Sequence, residues 1–208
     1  EDDDELRLLE FDLCFSDECF DEELLSSFDF NLFNLRESIH ENKNKFIPKS
    51  EILEFHENDF IVLRMVKSNE FYSFYLVLHV KKFYLFMMKK LNKSKIIPNE
   101  MKREIFFCQN YSHRCLVQFY GFLIDNRQII GFIYEYMCNG SLNSYVINNH
   151  DKINKMFSLM TIYRISKGIE YLISNSLIHR DLKPENILLD NDFIPYISDF
   201  ETIRQIDD

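Results

Sequence analysis

The sequence predicts an α+β fold in which a small sheet comes first and helices follow. Between residues 60 and 92, aromatic and β-branched runs are separated by short polar breaks, which is typical of strands joined by tight turns. Residues 98–111 and 155–175 instead repeat apolar side chains at helical spacing. Strands followed by helices, rather than strict alternation of the two, indicate an α+β chain whose second half becomes helical.

The strands of the first half are predicted from their composition. Three of them are FIVLRMV, FYSFYLVLHV and KFYLFMMKKL, within residues 60–91. Two more, CLVQFYGFLID and QIIGFIYEYM, lie on either side of a DNR turn. Each run is rich in Phe, Tyr, Ile and Val, the residues that fit a half-buried pleated surface.

Two helices are predicted from apolar periodicity. The first covers 98–111, with Pro98 near its start and Met101, Ile105 and Cys108 on one face. The second covers 155–175 and has five apolar residues on one face. These five are Phe157, Met160, Ile165, Ile169 and Leu172.

Residues 1–58 are predicted to be an acidic, partly disordered lead-in and linker. The first 41 residues contain 15 acidic and two basic side chains, a net charge of −13, whereas the rest of the chain carries +3. Mixtures of acidic residues with Phe and Leu are often disordered until a partner binds, so a regulatory partner is one interpretation. A solvated tail and an amphipathic helix packed on the domain are the alternatives. The acidic balance excludes nucleic-acid binding by bulk electrostatics.

The cysteines and the apolar runs bear on location. Five scattered cysteines form no CxxC pair, which favours free thiols in a reducing compartment, and we expect a cytoplasmic protein. No uninterrupted apolar run reaches about 18 residues, so no membrane partner is expected.

Residues 177–190, LIHRDLKPENILLD, concentrate the chemistry of the chain. Asp181, Lys183 and Asn186 lie within six residues, and Pro184 indicates that they lie on a loop. Asp199 follows 13 residues after Asn186, in the stretch YISDFETIR. A carboxylate that can accept a proton, an ammonium group, and an amide–carboxylate pair suited to Mg²⁺ form a set for phosphoryl transfer.

The string HRDLKPEN followed by SDFE resembles the catalytic loop and metal-binding motif of eukaryotic-type protein kinases. The resemblance implies a two-lobe fold over residues 59–208. A small antiparallel-sheet lobe with one helix would span 59–137, and the beginning of a helical lobe would span 138–208. It also implies ATP and Mg²⁺ as cofactors and protein substrates, and the Lys in DLKPEN resembles the Ser/Thr-specific form of the loop.

The resemblance also implies a role for each matching residue. Asp181 would orient the substrate hydroxyl, Lys183 would stabilise the γ-phosphate, and Asn186 and Asp199 would bind Mg²⁺. The upstream stretches FMMKKL, KREIFFC and IYEYMCNGSL resemble the family's phosphate-pairing strand, its helix and its hinge. On this alignment the nucleotide-binding residues are Lys89, with Lys90 as the alternative, its ion-pair partner Glu104, and Glu135, Met137 and Leu188.

Four departures from the family pattern leave alternatives open. Lys67, Asn69 and Tyr72 occupy the glycine positions of the phosphate-binding loop, although glycine lets backbone N–H groups approach phosphates. On the same alignment Phe74 and Met87 would narrow the adenine slot, and Glu201 replaces the glycine of DFG. The chain ends nine residues after Asp199, so we expect a C-terminally truncated domain. A pseudokinase-like binding or scaffolding module and an inactive kinase fragment are therefore the alternatives to an active Ser/Thr kinase.

Overall fold

A computed structural model of the chain describes residues 52–92, 99–149, 151 and 153–206. The described residues divide into two compact units. The first unit contains residues 52–92 and 120–136, and the second contains residues 99–119 and 137–206. Most of the predicted lead-in, residues 1–51, and the predicted helix start at Pro98 lie outside the described residues.

The first unit is built on a six-stranded sheet in the order β1-β5-β6-β4-β3-β2. Its strands are β1 (Leu53–Phe55), β2 (Phe60–Ser68), β3 (Tyr72–His79), β4 (Leu85–Leu91), β5 (Phe119–Asp125) and β6 (Gln128–Glu135). The pairs β2–β3, β3–β4 and β4–β6 are antiparallel, which confirms the predicted strands and the antiparallel character of this lobe. Aromatic and aliphatic residues form these strands because one face of the sheet covers a core.

The strand β1 is a finding that the sequence did not predict. It pairs in parallel with β5, with Leu53 opposite Gly121 and Phe55 opposite Leu123. Phe55 is buried in an aromatic cluster, 5.4 Å from the ring of Phe60. The sheet therefore includes residues that precede position 59, where we expected the domain to begin.

The second unit contains the helices α1 (Asn99–Asn110), α2 (Leu142–Asn148) and α3 (Lys155–Ser174). Side-chain oxygens cap two of them, because Ser141 accepts from the Ser144 N–H and Asn154 accepts from the Phe157 N–H. The five residues predicted for one face of α3 are all buried or half-buried, which confirms the periodicity. Other apolar side chains of α3 are exposed, among them Met156 and Ile162.

Two short antiparallel pairs of strands complete the second unit. Strand β7 (Leu177–Ile178) pairs with β10 (Arg204–Gln205), and β8 (Ile187–Leu189) pairs with β9 (Pro195–Ile197). In the β8–β9 hairpin Ile187 lies opposite Ile197, so the residue before β8 and the residues after β9 share one end of the hairpin. None of the helices in the described part of the chain is long and apolar enough to cross a membrane.

Candidate active site

The loop between β7 and β8 brings three predicted site residues together. The Lys183 Nζ donates a hydrogen bond to Asp181 Oδ2 at 2.7 Å, and the Asn186 Nδ2 donates to the same oxygen at 2.9 Å. The Asn186 Nδ2 also donates to the backbone oxygen of Asp181 at 2.9 Å. A 3₁₀ turn over Pro184–Asn186 makes this folding back possible, because Pro184 supplies the required φ at the first position. The loop therefore presents a carboxylate held in one orientation.

The charges of this loop support one another. The hydrogen bond from Lys183 lowers the pKa of the Asp181 carboxyl, and burial of the carboxyl opposes that effect only in part. The same hydrogen bond raises the pKa of the Lys183 ammonium. Asp181 is thus ionised and Lys183 is protonated at neutral pH. The two side chains remain 36% and 46% exposed, so their ion pair adds little to stability and mainly fixes geometry.

The side chain of His179 is almost fully buried and holds the loop in place. Its Nε2 lies 2.9 Å from the backbone oxygen of Ser198, and its Nδ1 lies 3.3 Å from the backbone nitrogen of Asp181. The carbonyl of Ser198 needs a donor and the N–H of Asp181 needs an acceptor, so the neutral tautomer with a proton on Nε2 satisfies both. Burial lowers the pKa of His179, in agreement with a neutral ring.

Asn186 and Asp199 lie at the same end of the β8–β9 hairpin. The backbone N–H and the hydroxyl of Ser198 both donate to the Asn186 carbonyl, at 2.8 and 2.9 Å. The Asn186 amide nitrogen is used by Asp181, which leaves its Oδ1 as the atom that could meet a metal ion. Asp199 follows with a left-handed backbone, φ 65°, a strained conformation that is concentrated at functional sites. One carboxylate and one amide oxygen are ligands that Mg²⁺ accepts, so this pair fits the ion.

Glu201, which replaces a glycine of the family motif, is accommodated without a left-handed backbone. In the described part of the chain, Asp199 has a positive φ and Glu201 does not. The backbone oxygen of Glu201 accepts a hydrogen bond from the Arg103 Nε of α1 at 3.4 Å. Phe200, the residue before it, is buried against Phe107 with ring centroids 4.4 Å apart. The segment after Asp199 is thus held to α1 within the second unit.

The other predicted site residues are divided between the two units. Lys89 is buried on β4 of the first unit, where Lys90, the alternative, is half-buried and pairs with Glu57 at 2.5 Å. Glu104 is buried on α1 of the second unit, at 1% exposure. Two buried charged side chains of this kind are uncommon and need compensation, which marks both as candidates for function.

The residues predicted to bind adenine are placed in the following way. Glu135 is the last residue of β6 and is half-buried. Met137 is buried at the point where the chain re-enters the second unit. Leu188 is half-buried on β8, opposite Tyr196. Phe74 and Met87, expected to narrow the slot, are half-buried on neighbouring strands.

The supporting residue Ser198 and the side chains that close the β2–β3 turn were not predicted from the sequence. Ser198 stands between the apolar Ile197 and the candidate ligand Asp199, so its position next to the motif was the available signal. In the turn, Asn69 Oδ1 accepts from the backbone N–H groups of Phe71 and Tyr72. An Asn at the start of a turn was the signal here.

Comparison with known proteins identifies the family to which the chain belongs. The family described as "Protein kinase domain" matches residues 68–208, and the chain belongs to the protein kinase family. An Aurora kinase of Saccharomyces cerevisiae is 29% identical over 166 residues, which cover 78% of this chain and 44% of the relative.

Two further relatives carry different kinase names. The human tyrosine-protein kinase TXK is 34% identical over 119 residues, covering 57% of this chain and 22% of the relative. A G-type lectin S-receptor-like serine/threonine-protein kinase SD2-2 of Arabidopsis thaliana is 37% identical over 120 residues, covering 54% of this chain and 15% of the relative. The chain thus spans less than half the length of these curated relatives.

Proposed function

We propose that this chain carries the core of an ATP-dependent protein kinase that transfers the γ-phosphoryl group to Ser or Thr hydroxyls of protein substrates. The observation that supports this proposal best is the orientation of the Asp181 carboxylate. Two donors from its own loop hold one carboxylate oxygen, Lys183 Nζ at 2.7 Å and Asn186 Nδ2 at 2.9 Å. A carboxylate fixed in this way can receive a substrate hydroxyl in a single orientation.

In the proposed reaction, Asp181 accepts a hydrogen bond from the substrate hydroxyl and takes its proton as the hydroxyl oxygen bonds to phosphorus. The bond between the γ-phosphorus and the bridging oxygen of the nucleotide breaks, and ADP leaves. Lys183 is an ammonium group at neutral pH, its pKa is raised further by Asp181, and it would neutralise charge on the transferred group. The low pKa of Asp181 makes it chiefly an orienting group, because a weakly basic carboxylate removes a proton only late in the transfer.

Mg²⁺, when bound with ATP, would supply positive charge that stabilises the negative charge developing on the phosphates. We assign Asn186 and Asp199 as its protein ligands. We further assign Lys89 to the phosphates and Glu104 as the charged partner of Lys89. Burial of both side chains supports these assignments, because a buried charge requires an opposite charge or an equivalent partner.

The nucleotide base would be bound by the stretch that follows β6 and by β8. We propose Glu135, Met137 and Leu188 for this role. The resemblance of DLKPEN to the Ser/Thr-specific loop supports Ser and Thr as the acceptors. A tyrosine-protein kinase is also among the relatives, so the experiment below includes Tyr as well as Ser and Thr acceptors.

Location and partners are part of the same proposal. Cys108, Cys115 and Cys138, the cysteines in the described part of the chain, are not joined in disulfides, which supports a reducing compartment such as the cytoplasm. The acidic residues 1–41 are proposed as a segment that meets a regulatory partner.

The test is thermal unfolding of the purified chain with and without ATP and Mg²⁺, followed by an assay of phosphoryl transfer to Ser-, Thr- and Tyr-containing peptides. A ligand present at about 100 times its Kd stabilises the folded state by about 2.7 kcal/mol. For a chain of this length, that gain raises the melting temperature by about 5–10 °C. We expect a Mg²⁺-dependent rise of this kind, and we expect Lys89→Met and Asp199→Ala to abolish it.

Two matched variants separate site effects from general effects of lost charge. Lys81→Met and Asp192→Ala change exposed residues of the same types in the same units and should keep the rise. A cooperative unfolding transition that no concentration of ATP and Mg²⁺ shifts would refute nucleotide binding by this chain. A rise that survives in Asp199→Ala would refute the assignment of the metal ligand.

A further inference from the structure

The turn between β2 and β3 satisfies its own backbone donors. Asn69 Oδ1 accepts hydrogen bonds from the N–H groups of Phe71 and Tyr72, at 2.9 and 2.7 Å. The Asn69 N–H in turn donates to the Tyr72 carbonyl at 2.9 Å. A phosphate-binding loop leaves such N–H groups pointing at the ligand, whereas here a side-chain amide oxygen occupies that position.

A second set of hydrogen bonds connects this turn to Asn92, the residue that follows β4. Asn92 donates from Nδ2 to the Asn69 carbonyl at 2.8 Å and from its backbone to the Phe71 carbonyl at 2.8 Å. The Ser73 hydroxyl donates to Asn92 Oδ1 at 2.7 Å, and the Ser68 hydroxyl lies 2.8 Å from that of Ser73. Side chains of β2, of β3 and of the residue after β4 therefore hold the turn closed.

The same hairpin places aromatic rings on Lys89. The Lys89 Nζ lies 4.3 Å from the centroid of the Tyr72 ring, and the rings of Phe132 and Phe74 lie at 5.5 and 5.8 Å. Strand register explains this, because Phe74 and Phe132 are the direct neighbours of Lys89 on β3 and β6, and Tyr72 is its diagonal neighbour. Tyr72 is 3% exposed, whereas the adjacent Phe71 at the tip is 51% exposed. Tyr72 thus points inward onto the ammonium group.

We propose that Tyr72 and Asn69 act as built-in substitutes for nucleotide phosphates, so that ATP binds only when the Tyr72 ring leaves Lys89 and the turn opens. This inference rests on the proposed function, because it takes Lys89 as the phosphate-binding lysine. The ring faces the cation and the amide oxygen faces the backbone donors, so each of the two groups that attract phosphate already has a partner in the first unit. The hairpin is a self-inhibitory element, and Tyr72 sets the affinity for the nucleotide.

The test compares the affinity for ATP with Mg²⁺ among the wild-type chain, Tyr72→Gly and Asn69→Gly, by titration calorimetry. A partly desolvated cation–π contact has a strength that corresponds to about tenfold in affinity, so Tyr72→Gly should bind about tenfold more tightly. Asn69→Gly should also bind more tightly, because it releases two N–H donors. Glu70→Gly is the matched control, since it adds glycine flexibility to the same turn at an exposed side chain, and its affinity should equal that of the wild type.

The outcomes separate this inference from the proposed function. If the wild type binds ATP and Tyr72→Gly binds no more tightly, or if Glu70→Gly gains as much as Tyr72→Gly, only the inference is refuted. If no variant binds ATP, both the inference and the proposed function are refuted, because the opened site should then have bound.

A measurement without nucleotide tests the Tyr72–Lys89 contact even if the glycine variant folds poorly. Tyr72→Leu retains buried volume but lacks a ring, and the ε-methylene protons of Lys89 can be followed by NMR. In the wild type the Tyr72 ring should shift these protons upfield, and in Tyr72→Leu much of that shift should be lost. Equal chemical shifts in the two proteins would refute the contact on which the inference depends.

Discussion

Gly131 is a position where one added methyl group should disturb both the sheet and Lys89. It lies on β6 opposite Lys90 of β4. A Cβ at this position would overlap the carbonyl oxygen of Lys89 and lie 3.1 Å from the Lys90 Cα. Ordinary contacts between carbon atoms begin at about 3.5 Å, and the obstructing atoms are backbone, which cannot rotate away. The strands β4 and β6 must therefore separate for Gly131→Ala to fold.

The expected cost follows from this overlap. Overpacking of a well-packed interior costs about 1–3 kcal/mol, and a clash with backbone belongs at the upper end of that range. A loss of about 2–3 kcal/mol lowers the melting temperature by about 4–12 °C for a chain of this length. Because the clash is with Lys89 itself, the ATP-dependent rise in melting temperature should shrink as well.

Thermal unfolding followed by circular dichroism measures this effect, and Gln128→Ala is the control. Gln128 is exposed on the same strand, and its replacement should change the free energy of unfolding by less than about 0.5 kcal/mol. If Gly131→Ala unfolds at the same temperature as Gln128→Ala, the close approach of β6 to β4 is wrong. If Gly131→Ala is destabilised but its melting temperature still rises normally with ATP, the close packing of β6 on β4 is not needed for nucleotide binding at Lys89.

Two further predictions concern charges around the catalytic loop. Burial lowers the pKa of His179 below its ordinary value of 6.5. As the pH falls below that value the unfolded chain takes up a proton that the folded chain does not, so stability is retained above about pH 7 and lost towards about pH 5.5, by up to about 1.4 kcal/mol per pH unit. Melting temperatures across this range should fall less steeply in His179→Gln, and an equally steep fall would contradict the buried neutral ring. Lys183→Met should raise the pKa of the Asp181 carboxyl towards 3.8, because the hydrogen bond that lowers it is lost. NMR titration of the carboxyl carbon measures this, and an unchanged pKa would show that Lys183 does not contact Asp181 in solution.

The elements that sequence predicted correctly share a physical property, since each is specified by a periodic run of its own residues. The strands β2 to β6 and the helices α1 and α3 are of this kind. The contacts among Asp181, Lys183 and Asn186 were also within reach, because the three residues lie within six positions and a loop closed by Pro184 has few conformations.

The features that sequence did not predict depend on pairing between distant segments. Three residues are too few for a periodicity, and β1 is a strand only because β5 lies beside it. The contact between Tyr72 and Lys89 requires the register of β3 against β4, which pairs Tyr72 with Leu91 and Phe74 with Lys89. A slip of one residue would turn Tyr72 to the opposite face of the sheet, and the sequence alone does not fix that register.

The register also explains why the two halves of the proposed site differ in their agreement with the family. In the second unit, a local string of residues carries the proposed catalytic groups, and Asp181, Lys183, Asn186 and Asp199 all match the family motif. In the first unit, Lys89 is retained but its neighbours are aromatic, and a buried ammonium among aromatic rings is stabilised whether or not a nucleotide is bound. If Lys89 binds the phosphates as proposed, the affinity for ATP depends on the difference between two partners of Lys89, the phosphates and the Tyr72 ring. A change at Tyr72 should accordingly alter the affinity while leaving the orientation of Asp181 in the other unit unchanged.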